Sequence, residues 1–94
     1  MTNDNYSYPI DPSWTTKELE IVIKMFNQVE KAYEGGANRQ QLLKAYQDFK
    51  QVVPAKSEEK QIGRKFYEAS GYQLYDAVKA AQQTDHKIIT LSRG

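Results

Sequence analysis

Ninety-four residues with 13 basic and 12 acidic side chains, a net charge of +1 and no cysteine describe one modest core, and they exclude disulfides, thiolate nucleophiles and Cys-ligated zinc. The even charge balance gives no global field that would draw the chain to nucleic acid or to an anionic membrane. The longest aliphatic run, residues 21–23, falls far short of the ~18 residues of a membrane span. Met1, Thr2, Asn3, Asp4 and Asn5 lack the basic and apolar regions of a secretory signal, so a cytoplasmic location is expected.

The chain opens with a lead segment, residues 6–14, that carries Tyr6, Tyr8, Pro9, Ile10, Pro12 and Trp14. Each proline restricts the residue before it to extended backbone, which predicts a strap rather than a helix. Tyr8, Ile10 and Trp14 are large enough to anchor that strap on a helical surface, each worth on the order of 1.5–3 kcal/mol if fully covered. Thr15 and Glu18 then have capping-box spacing, with Trp14 and Leu19 at the hydrophobic-staple positions.

The first predicted helix, residues 15–34, organises the rest. At about 100° per residue, Leu19, Val22, Ile23, Phe26, Val29 and Tyr33 share one stripe that Ile21, Met25 and Ala32 widen. An apolar sector this wide needs more than one neighbour. Glu30 falls inside the stripe, and Gly35 with Gly36 ends the helix. Asn38 and Gln41 suggest a second capping box opening a helix with Leu42, Leu43, Ala45, Tyr46, Phe49, Val52 and Val53 inward, stopped by Pro54. The short connection makes these two helices a hairpin.

Ser57 is the cap candidate for a third helix, with Glu58 and Glu59 suited to its positive end. That helix is expected to run to about Ala69 with a thin stripe of Ile62, Phe66 and Ala69, and with Gly63 permitting a close backbone approach. Ser70 and Gln73 have the spacing of a further capping box, which places a fourth helix at residues 72–83, buried through Leu74, Ala77, Val78 and Ala81. In residues 84–94, Ile88, Ile89 and Leu91 show no helical period; a short extended segment and a frayed tail both fit.

Several separated motifs stand in a fixed order: Tyr6-Ser7-Tyr8-Pro9-Ile10-Asp11, Trp14-Thr15, Val29-Glu30-Lys31-Ala32-Tyr33-Glu34, Val53-Pro54-Ala55-Lys56 running on through Ser57-Glu58-Glu59-Lys60-Gln61-Ile62-Gly63-Arg64, and Ser70-Gly71-Tyr72. With them, about residues 6–80 closely resemble the small bacterial proteins grouped as uncharacterised protein family 0223, the YktA-like proteins. The resemblance implies an all-helical domain of low-GC Gram-positive bacteria. It brings no catalytic residue to carry over.

For chemistry, Glu30 ranks first. A carboxylate in an apolar stripe stays at the rim, pairs, or is driven toward its neutral form by desolvation, and the last case would make a general base. Against that, a bond to a tyrosine hydroxyl or a basic side chain accounts for it more simply. Glu34 lies one turn on, but di-iron bundle sites use Glu-x-x-His, and the four helices contain no histidine, so neither a metal nor any other cofactor is expected. His86, beside Asp85, reads as a solvated residue. No phosphate loop is present, since Gly35-Gly36 leads into a helix without the required Lys-Ser/Thr.

Lys56, Lys60, Arg64 and Lys65 form a candidate basic face that would contact phosphates, although Glu58, Glu59 and Glu68 interleave with it. Tyr67, Tyr72 and Tyr75 form a candidate interaction surface, because tyrosine suits partly wet interfaces. The expectation is therefore a single all-α domain over residues 1–94: a compact irregular bundle of four helices, an extended strap at 1–14 and a tail at 84–94. Its expected role is that of a non-enzymatic module binding a protein partner, or a second copy of itself, through tyrosine-rich helical surface. Nucleic-acid binding through the basic face is the alternative, an enzyme centred on Glu30 comes last, and no membrane role is expected.

Overall fold

Thr15 starts α1 (Thr16–Tyr33) with a reciprocal capping box. Its hydroxyl accepts from the Glu18 amide at 3.1 Å and the Glu18 carboxylate accepts from the Thr15 amide at 2.9 Å, serving two donors that a helix start otherwise leaves unpaired. The computed structural model describes residues 8–92. Strap residues 1–7, Tyr6 among them, and residues 93–94 of the tail lie outside the described residues.

Three further helices follow: α2 (Arg39–Val52), α3 (Lys56–Ser70) and α4 (Leu74–Gln83). The four helices make the chain all-α, and its Cα radius of gyration of 12.5 Å is close to the ~12 Å of a packed chain of this length. Two two-residue strands, β1 (Ala37–Asn38) and β2 (Ile88–Ile89), pair antiparallel with Ala37 opposite Ile89 and Asn38 opposite Ile88. They tie the end of the chain to the α1–α2 connection, and the Leu91 amide extends the tie by donating to the Ala32 carbonyl at 2.8 Å.

Helix α1 packs on α2, α4 and β1, as its wide apolar sector requires. The fully covered side chains on it are Val22, Met25, Phe26, Val29 and Ala32. This sector is centred about 105° round the helix from Glu30 at ~100° per residue. Glu30 therefore stands at the edge of the buried face, half-buried, and not in its middle as the sequence spacing suggests. Gln28 lies at the opposite edge and is buried, its Oε1 accepting no hydrogen bond among the described residues.

Local chemistry moves the starts of α3 and α4 and keeps that of α2 at the expected cap, without the reciprocal half of its box. At α2 the Asn38 side chain accepts from the Gln41 amide at 2.9 Å, while the Gln41 side chain stays exposed. At α3 the cap is Ala55, in extended backbone just after Pro54. The proline sets the turn early enough that Ser57 falls within the first helical turn and does not cap. At α4, Ser70 ends α3 instead of opening the next helix. Its hydroxyl donates to the Phe66 carbonyl at 2.7 Å and accepts from the Tyr72 amide at 3.1 Å. Gly71 then takes a left-handed conformation (φ 81°) that glycine adopts without a Cβ penalty. Helix α4 accordingly begins at Leu74, with Gln73 as an extended cap.

In the strap, Asp11 to Trp14 forms a turn closed by the Trp14 amide donating to the Asp11 carbonyl at 3.1 Å. The Asp11 carboxylate accepts from both the backbone and the hydroxyl of Ser13, each at 2.9 Å, and these bonds hold it below the usual carboxylate range. Tyr8 and Trp14 pack on the core. Ile10 does not; the turn leaves it exposed.

Candidate functional site

Tyr8 explains Glu30. Its hydroxyl lies 3.0 and 2.9 Å from the two Glu30 carboxylate oxygens and 3.1 Å from Asn27 Oδ1, and its ring packs at 5.1 Å from Phe26 and 6.2 Å from Phe66. Burial first, and the adjoining carboxylate second, push the Tyr8 hydroxyl well above its ordinary range. One turn on, Glu34 accepts from the Tyr72 hydroxyl at 2.5 Å, and the Tyr72 ring stacks on Tyr33 at 4.6 Å. The Tyr33 hydroxyl in turn accepts from the Gln73 amide at 3.1 Å. Glu30 near the end of α1 and Glu34 at its C-cap thus fasten two different segments, the strap and the α3–α4 turn. Glu30→Gln should cost less than about 1 kcal/mol, because an amide oxygen can still accept from Tyr8. Urea denaturation checks this, and a loss above about 2 kcal/mol would mark a buried, paired carboxylate instead.

The three candidate tyrosines separate. Tyr67 and Tyr75 are exposed, at 46% and 65%, whereas Tyr72 is buried at 7% with its hydroxyl committed to Glu34. Tyr72 sits where the chain turns back over α1, so its ring fills the core edge and offers nothing to a partner. The four basic residues also separate. All are exposed, but at ~100° per residue Lys65 points about 180° from Lys56, while Lys60 and Gly63 stay within about 40° of Lys56. Lys65 accordingly lines a depression with the strap residues Ile10, Asp11 and Trp14.

Lys56 and Lys60 instead line a groove between α3 and α4. Its volume is about 660 Å³, against about 260 to 310 Å³ for the depressions beside the strap, at the start of α2 and along β2. Tyr46, Gly63, Leu74, Tyr75 and Val78 supply its apolar lining, and Lys56, Lys60 and Lys79 its cations. The Lys79 ammonium lies 5.7 Å from the centre of the Tyr75 ring, at a cation–π separation. Among the described residues none of these three lysines forms an ion pair.

The one acid lining the groove, Glu59, is already committed. Lys50 of α2 approaches it at 2.6 Å and the Tyr46 hydroxyl donates to it at 2.9 Å. Burial, then the bond and charge of Glu59, push the Tyr46 hydroxyl up to about 12. The unfolded chain ionises this group near ~10. A group whose folded value is raised adds stability that is whole below the unfolded value and is lost as pH climbs to the folded one. Stability should therefore fall between pH ~10 and about 12, with a shallower fall in Tyr46→Phe. Urea titrations across that window check it; parallel slopes in the two proteins would refute it.

Lys79 and Tyr46 were not among the residues singled out as candidates from the sequence. The Tyr75–Lys79 spacing of four residues is the one local signal for this site. His86 is exposed between α4 and β2, its amide donating to Thr84 Oγ1 at 3.2 Å, and no helix among the described residues is long and apolar enough to cross a membrane.

Four helices on one aromatic core, a strap fastened by a tyrosine–carboxylate bond and an open groove edged by uncompensated lysines define a small all-α domain. The chain belongs to UPF0223: the profile of the Uncharacterised protein family (UPF0223) matches residues 5–90. It is 52% identical over 93 residues to a UPF0223 protein of Streptococcus thermophilus strain CNRZ 1066, covering 99% of this chain and 100% of that one. To a UPF0223 protein of Streptococcus gordonii it is 55% identical over 91 residues, 97% of this chain and 99% of the relative. A UPF0223 protein of Streptococcus agalactiae serotype III is 50% identical over 93 residues, 99% and 100% of the two chains. The family likeness drawn from the motifs therefore holds, and it reaches past residue 80 into the segment that forms β2.

Proposed function

We propose that this chain is a cytoplasmic, non-enzymatic module that binds a protein partner through the α3–α4 groove. The observation that carries this reading is Tyr75. It is a large aromatic left 65% exposed at the lip of an apolar groove, and an amphipathic ring of this kind is what protein interfaces favour. Tyr67 supports the reading, because it lies within about 40° of Gly63 on the same side of α3 at ~100° per residue. The groove replaces the tyrosine trio as the binding surface, since Tyr72 belongs to the core.

Nucleic-acid binding is the weaker reading, because Lys65 faces the strap side of α3, away from Lys56 and Lys60. The test is a photocrosslinking amino acid placed at Tyr75 and, as a control, at Gln47, which is exposed on α2, in living bacteria. A discrete protein adduct from position 75 and none from 47 is expected. No adduct from 75, or the same adducts from both, would overturn the proposal.

A further inference from the structure

Each described glycine but one has an internal reason. Gly35, Gly36 and Gly71 hold positive φ, where a Cβ is costly. Gly63 does not: it sits inside α3 with ordinary helical backbone, and a Cβ built on it would meet no atom within 4 Å. Glycine is the residue, proline aside, that a helix interior tolerates least. Among the described residues no neighbour approaches Gly63 closely enough to require it, contrary to the close internal packing that its place beside the apolar stripe suggests. What Gly63 does border is the open groove.

We propose that the groove receives an acidic amphipathic helix of a partner protein, whose backbone closes over Gly63, whose apolar stripe covers Leu74, Val78 and Tyr75, and whose carboxylates meet Lys56, Lys60 and Lys79. The proposal rests on the interaction-module reading and names the partner's chemistry. Charge complementarity selects the occupant. The groove's three lysines have no ion-pair partners among the described residues, while its one carboxylate is already held by Lys50 and Tyr46. A trough between two helices, floored by apolar side chains, takes an amphipathic helix by its i, i+4 anchors. A helix interior without a Cβ lets the two backbones come close, as small residues do at tight helix crossings.

The test is fluorescence anisotropy with the full chain and two labelled helical peptides that share one leucine stripe and differ only in glutamate or lysine flanks, beside a single-stranded oligonucleotide. The glutamate peptide should bind at least about tenfold tighter than the lysine peptide. Lys60→Glu should abolish that preference. Gly63→Ala should weaken binding at least about tenfold while its thermal midpoint stays level or rises, a combination that damage to the fold does not produce. Equal affinity for the two peptides, unchanged binding by Gly63→Ala, or tighter binding of the oligonucleotide than of either peptide would overturn the proposal. So would a dimer in sedimentation that Lys60→Glu dissolves, since the occupant would then be a second copy of this chain. If position 75 crosslinks a protein in cells and the glutamate peptide shows no preference, the acidic helix is wrong and the interaction module stands. If position 75 crosslinks nothing, both fall.

Discussion

Phe66→Ala is expected to destabilise the chain by about 3–5 kcal/mol, out of the roughly 5–15 kcal/mol that holds a domain of this kind together. Phe66 is fully buried and stacks on Phe26 at 4.6 Å with the rings 8° apart. Tyr8 packs against both rings. The inward face of α3 is narrow, its buried residues being Ile62, Phe66 and Ser70, so one ring carries most of the apolar attachment of that helix. Its removal opens a void beneath the strap and α3 together, and neither can collapse into it without giving up the Tyr8–Glu30 bond or the Ser70 closure of the helix. The midpoint of thermal unfolding should drop by more than about 10 °C. The exposed neighbour Tyr67→Ala should stay within about 0.5 kcal/mol. Urea denaturation of both variants checks the contrast, and a Phe66→Ala loss below about 1 kcal/mol would refute it.

The second large effect is expected at Gly36. Its φ of +134° is strained for any L side chain, and a Cβ there would lie 2.6 Å from Ile88 Cγ2 and 3.4 Å from Thr90 Cγ2. Gly35, at φ +148°, has the same strain with nothing within 4 Å. Gly35→Ala should thus cost the backbone term alone, on the order of 1–3 kcal/mol. Gly36→Ala should cost that and also push β2 away from β1. Hydrogen exchange gives the local readout. The amides of Arg39, which donates to the Lys87 carbonyl, and of Leu91, which donates to Ala32, should lose protection in Gly36→Ala and keep it in Gly35→Ala. Equal protection in the two variants would sink the clash.

What the sequence made legible was local. The Thr15–Glu18 box, the stop at Pro54 and the inward faces of α1, α2 and α4 depend on neighbours within one or two turns, so spacing reveals them. The β1–β2 pair was not legible, because two-residue strands have no period and their partners stand far apart in the chain. Ser70 looked like a cap for the fourth helix because its spacing to Gln73 is right; what decided otherwise was its place in the last turn of α3, where the hydroxyl bonds back to the Phe66 carbonyl four residues earlier and the left-handed Gly71 ends the helix. The groove was legible only in pieces. Lys56 and Lys60 were visible as charges and Tyr75 as an aromatic, but their meeting depends on how α3 and α4 pack, and Lys65 was grouped with them by proximity in sequence while facing the other way.

The Tyr8 contact has a further consequence. Seated on Phe26 and Phe66 and bonded to Glu30, this ring behaves as a ligand tethered to its own receptor by the short run of chain leading to Thr15. A short tether of this kind presents its end at an effective concentration on the order of millimolar. An aromatic from another protein would have to reach that level to displace it from the slot between α1 and α3. The strap thereby closes that slot to competitors and leaves the groove on the far side of α3 open.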